Sequence, residues 1–142
     1  MSRHASRIKA MFVLYRWDLL ENDYDDIELE GFENALNEGC EFIYDVPFFN
    51  ELINGVKDNI SVIDRYIAIC LTNYTIDRLS FVDRALIRLA TFELKFTDLA
   101  HNIIINEYVD ISHEYSETNE VNSAKFNNSL LDKISKRIKD GR

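Results

Sequence analysis

Ser80–Phe96, SFVDRALIRLATFELKF, decides how the rest of the chain is read. Ser80 followed three residues later by Asp83 resembles a capping box, which predicts a helix start. At 100° per residue Val82, Ala85, Leu86, Leu89, Phe92 and Phe96 share one broad face, and Ile87, Ala90 and Leu94 widen it. Only Arg84, Arg88, Thr91 and Lys95 form a polar strip. So apolar a helix is either central, packed on several neighbours, or has one flank reserved for another molecule. Glu93 falls inside the apolar face, where a carboxylate must be hydrogen-bonded or protonated. No partner for catalysis stands at a compatible spacing, so the expectation is a satisfied core acid that locks helix packing.

Around this stretch the chain has 142 residues, 46% of them apolar, with four Gly and one Pro. That is enough for one domain spanning the chain, with a real core and few turns. Helical periodicity dominates and no run of alternating strand segments appears, so an all-α bundle is expected. The N-terminus MSRHASRIKAMF lacks a signal-type apolar core, and no apolar run reaches the roughly 18 residues of a membrane span. A cytoplasmic protein with reduced thiols at Cys40 and Cys70 is therefore expected.

The formal net charge of −9 is local in origin, because 12 of the 25 acids lie between Trp17 and Val56, where no Lys or Arg occurs. The bases gather at the two ends of the chain, which leaves a nucleic-acid surface open there.

Ser2 can cap a first helix to about Leu20, with Arg3, His4, Arg7, Lys9 and Arg16 among its apolar residues. Those bases form either a solvated basic face or a set of phosphate contacts. Leu29, Phe32, Ala35 and Leu36 suggest a second, weaker helix. Asp45 and Pro47 signal the start of a long core helix to about Leu71, striped by Phe49, Leu52, Ile53, Val56, Ile60, Ile63 and Ile67. Gly55 within it points to a close helix crossing. A turn is expected over Ile76–Leu79, a helix over Asn102–Tyr115, and a last helix capped by Ser123 with a basic end.

Chemistry-bearing motifs are missing. DYDDIELE fails the calcium-loop pattern, since Glu28 stands at the glycine position and Asn34 at the terminal glutamate position. The glycines build no phosphate loop, and His4, His101 and His113 form no tight ligand set. No cofactor, no metal and no catalysis are expected; a binding module remains.

Five blocks, in order, carry a resemblance: SRHASRIKAMFVLY, DVPFFNELINGV, DRLSFVDRALIRLATFEL, IINEYVDIS and KFNNSLLDKI. Together they resemble the NusB family of bacterial transcription antitermination factors. The resemblance implies about seven helices in two packed helical subdomains. It implies binding of the partner NusE, a small-subunit ribosomal protein, and of the single-stranded boxA RNA of ribosomal RNA leader transcripts, within an RNA polymerase complex that reads through terminators. By position, Arg3, His4 and Arg7 match the family's arginine-rich start and would contact RNA. Phe126 would stack on a base, and Lys125 beside it would add a phosphate contact. Tyr15, Asp77 and Asp83 match positions facing NusE. Ala5 and Ser6 thin the arginine cluster, and Asn127-Asn128-Ser129 replaces the usual Val-Asn-Gly. The alternative is a helical adaptor for NusE or another basic partner with little RNA affinity. The family implies either a monomer or a homodimer.

Overall fold

A computed structural model describes residues 2–20, 43–72, 75–116 and 122–141. Among them lie six α-helices and no β-sheet: α1 (Arg3–Leu19), α2 (Val46–Asp58), α3 (Ile60–Cys70), α4 (Phe81–Phe96), α5 (His101–Tyr115) and α6 (Ser123–Lys139), with a 3-10 turn at Ile76–Arg78 before α4. The helix expected over 29–36 lies outside the described residues, as does Cys40.

The start of α4 follows its sequence: the Asp83 amide donates to Ser80 Oγ at 3.1 Å. α4 touches all five other helices. Residues 85–94 are therefore buried without a break, and the dry surface runs round the middle of the helix, while Phe81, Lys95 and Phe96 at its ends are exposed. The expected polar strip holds at its ends, with Lys95 exposed and Arg84 half-buried, and is corrected in its middle. Arg88 is buried and Thr91 fully so. Arg88 donates from Nε and Nη2 to the two Asp64 oxygens at 2.9 and 3.0 Å, and from Nη1 to Asp18 Oδ1 at 2.9 Å. Thr91 Oγ1 turns back onto the Ile87 carbonyl at 2.7 Å, a local bond that satisfies a buried hydroxyl.

α1 and α2 pack together on one side of α4, and α5 and α6 together on another, with α3 against α4 and α6. The long helix expected from Asp45 to Leu71 is two helices. Asn59 leaves the helical conformation at φ −119°, ψ 19°, and its Nδ2 donates to the Gly55 carbonyl at 2.8 Å. A short amide that bonds nearby backbone competes with the helix ladder. The apolar stripe nevertheless crosses the break, with Leu52, Val56, Ile63 and Ile67 all fully buried. At Gly55 a Cβ would overlap the Phe92 ring, so the close crossing is real and α4 is the helix that crosses there.

Ser2 Oγ caps α1 by accepting from the Ala5 amide at 3.1 Å. Ser6 Oγ donates to the Asp45 carbonyl at 2.8 Å, which ties α1 to the start of α2. The last helix is capped by Asn122 in place of Ser123, its Oδ1 accepting from the Lys125 amide at 3.0 Å. Among the described residues no helix is long and apolar enough to cross a membrane.

Candidate nucleic-acid interface

The bases of α1 are divided between the core and the surface. Arg7 points inward and is 3% exposed; Glu93, at 1%, meets it. Arg7 Nε and Nη2 donate to Glu93 Oε2 and Oε1, both at 2.8 Å. Tyr108 OH on α5 donates to the same carboxylate, and Glu107 Oε2 lies 3.7 Å from Arg7 Nη1. The forked guanidinium matches the carboxylate bidentately. Burial works to lower the Arg7 pKa, yet the hydrogen bond and charge of Glu93 outweigh it and hold Arg7 protonated. For Tyr108, burial first and the Glu93 charge second push the phenol well above its ordinary value. The satisfied core acid expected at Glu93 is what the structure contains. Its partners sit on α1 and α5, beyond the reach of any local spacing.

Lys9 is also turned in, 1% exposed, with Nζ 3.6 Å from the Tyr44 ring centroid. A wholly solvated basic face on α1 is thus corrected. Arg3 and His4 do face outward. The Arg3 guanidinium lies 4.4 Å from the Phe48 ring centroid, and His4 Nδ1 lies 3.0 Å from Glu107 Oε2. Arg7 does not join them at the surface; it anchors the helix that presents them.

Lys125 is exposed and Phe126 is 36% exposed at the start of α6. Phe126 lines a cavity of about 130 Å³ with Cys70, Leu71, Leu130 and Lys133. There burial raises the Cys70 thiol, with Arg137 and Lys133 opposing. Arg3 lines a different cavity of about 390 Å³ beside Phe48, Glu51, Asp98 and Leu99. The two groups of expected RNA contacts thus occupy separate places on the molecule.

The three expected partner-facing residues surround the start of α4. The Tyr15 ring meets Phe81 edge to face, centroids 6.2 Å apart. Arg84 lies over Phe81 at 5.0 Å and donates to the Asp77 carbonyl at 3.3 Å. Tyr15 and Asp77 are therefore joined through Phe81 and Arg84. Asp83 is half-buried, and its Oδ1 accepts from Ser116 Oγ and from Asn127 Nδ2, the latter at 2.9 Å. Asn127 Nδ2 also reaches Ser112 Oγ at 3.0 Å. The carboxylate is thus oriented by α5 and α6. Phe48, Phe81, Glu107 and Asn127 were not singled out for these sites. An exposed aromatic at a helix start, as at Phe81, is the one sequence signal that marks any of them.

The fold and these surfaces define a small all-helical binding module built on a buried central helix. The sequence model of the NusB family matches residues 4–136. A transcription antitermination protein NusB from Oceanobacillus iheyensis is 37% identical over 135 residues, covering 94% of this chain and 98% of that protein. A solved NusB structure from T. maritima superposes with a TM-score of 0.74 at 33% identity, covering 96% of this chain and 92% of that one. A solved chain from a complex of antitermination factors NusB and NusE with dsRNA superposes with a TM-score of 0.76 at 28% identity, covering 95% of this chain and 96% of that one. The chain belongs to the NusB family.

Proposed function

We propose that this protein is a transcription antitermination factor that binds NusE and RNA, and that its RNA is the boxA element of ribosomal RNA leader transcripts. The observation that carries the reading is the match to NusB proteins over nearly the whole chain, one of the solved relatives being in a complex with NusE and RNA. Arg3, His4, Lys125 and Phe126 are the proposed RNA contacts, and Arg7 acts behind them by fixing α1 on α4. Phe126 supplies a stacking face and Lys125 a mobile charge. Tyr15, Asp77 and Asp83 are the proposed NusE contacts, two acids meeting a basic ribosomal protein. The assembly acts on RNA polymerase in the cytoplasm, without catalysis by this chain.

The test is a fluorescence anisotropy titration on a short labelled boxA RNA, alone and with NusE, at two salt concentrations. Binding strengthened by NusE and weakened by salt is the expected result. No RNA binding in any of the four conditions overturns it. The adaptor reading has one observation in its favour: Arg7 and Lys9 are buried, which leaves α1 fewer charges for phosphate. NusE capture without RNA binding would select that reading.

A further inference from the structure

We propose that the cavity at the start of α1 is a nucleobase site, with the Arg3 guanidinium as its stacking platform and Glu51 and Asp98 as acceptors for a base bearing an exocyclic amine. This rests on the RNA-binding reading above and deepens it. The cavity measures about 390 Å³, at the lower end of the roughly 300–1,000 Å³ usual for small-molecule sites.

Arg3 is exposed, yet its guanidinium lies over the Phe48 ring, 4.4 Å from the centroid. Phe48 is 5% exposed and is itself held beside Arg7, which lies 5.0 Å from the same ring. The Arg3 guanidinium thus rests against a fixed aromatic, and both groups line the cavity. A guanidinium plane held in this way is a surface on which an unstacked base stacks, and its rotamer freedom is already restricted before the RNA arrives.

Charge selects what enters. Glu51, Glu93 and Asp98 line the cavity, so a phosphate would meet carboxylates and be repelled. Arg3 repels a cationic side chain in the same way. A neutral, planar group with hydrogen-bond donors satisfies both. Glu93 is committed to Arg7 and Tyr108, which leaves the exposed Glu51 and Asp98 as acceptors. Carboxylates accept from the amine of cytosine, and the same geometry serves adenine and guanine. Uracil has no exocyclic amine, and its single N3–H lies between two carbonyl oxygens that these acids repel, so it is disfavoured.

The experiment is a position scan by anisotropy. In a boxA RNA that binds in the presence of NusE, each amine-bearing base is replaced in turn by uracil. For the wild type, one position should lose roughly tenfold in affinity, the scale of a base-edge contact, and its neighbours far less. Glu51→Gln/Asp98→Asn, which adds amide donors, should bring that ratio close to one. Arg3→Lys, which keeps the charge and loses the plane, should weaken the same position's contribution. A flat wild-type scan over intact binding overturns this proposal alone, as does a ratio that survives the double substitution or an Arg3→Lys loss spread evenly over all positions. Absence of RNA binding with NusE present overturns the RNA-binding reading along with it. The substituted side chains are exposed, and a thermal melt of each variant checks that the fold is kept.

Discussion

Arg3 and Arg7 stand four residues apart on one helix and do opposite things. Arg7 is 3% exposed and clamped by Glu93, whereas Arg3 lies at the surface over Phe48. The same contrast separates Arg88, held between Asp18 and Asp64, from the exposed Lys125. The inward set fixes α1, α3 and α5 on α4. The outward set is free to meet another molecule because the inward set has already fixed the helices that carry it. Arginine content alone therefore overstates the charge this protein shows to RNA.

The contrast breaks most visibly at Arg7. Arg7→Met leaves Glu93 as an uncompensated buried charge and should cost about 3–5 kcal/mol in a urea titration. Adding Glu93→Leu should recover much of that loss, since a buried pair replaced whole by apolar residues is close to neutral. If Arg7→Met instead kept full stability and lost RNA affinity, the inward assignment would be wrong.

Tyr108→Phe removes one bond to the charged Glu93 and should cost roughly 1.5–3 kcal/mol. It also carries a pH signature. The unfolded chain ionises this phenol from its ordinary value of 10.0, while the folded chain keeps the proton to higher pH. Stability from this group is complete below about pH 10 and is lost as pH rises towards the folded value. The urea midpoint of the wild type should thus fall faster above that pH than the midpoint of Tyr108→Phe; equal slopes would count against the buried phenol.

Arg88→Met should cost less than Arg7→Met, about 2 kcal/mol, because the Asp64 side chain is 30% exposed and water screens part of the pair. Smallest of all, Arg3→Ala should change stability by no more than about 0.5 kcal/mol, as surface substitutions do, and lower RNA affinity several-fold by anisotropy. A large melting-temperature loss at Arg3 would erase the distinction between the two sets.

Much of this was legible from the residues. Ser80 and Asp83 marked the start of α4, its apolar breadth marked it as central, and Gly55 marked a close crossing. Glu93 was readable as a core acid because a carboxylate amid Leu89, Phe92 and Leu94 has few other fates. Other readings failed for reasons that are local to a helix but not to a fold. Arg88 and Thr91 fell on a polar strip, yet an arginine can be buried when Asp18 and Asp64 converge on it from two other helices. The stripe through Leu52, Val56, Ile63 and Ile67 was correct, but its periodicity did not register the break at Asn59, where side-chain bonding to Gly55 displaces the backbone from the helix.

The sequence by itself determined that the chain is helical, which faces are dry, and to which family's blocks it conforms, because periodicity and capping are properties of neighbouring residues. Only the tertiary structure decided which charges are inside. Whether Arg7 meets water or Glu93 depends on a contact between residues 86 apart, and whether Asp83 swings free or is held by Ser116 and Asn127 depends on where α5 and α6 come to rest. The physical reason is that a charge is bound or exposed according to what packs against it, and packing joins residues that the sequence keeps far apart.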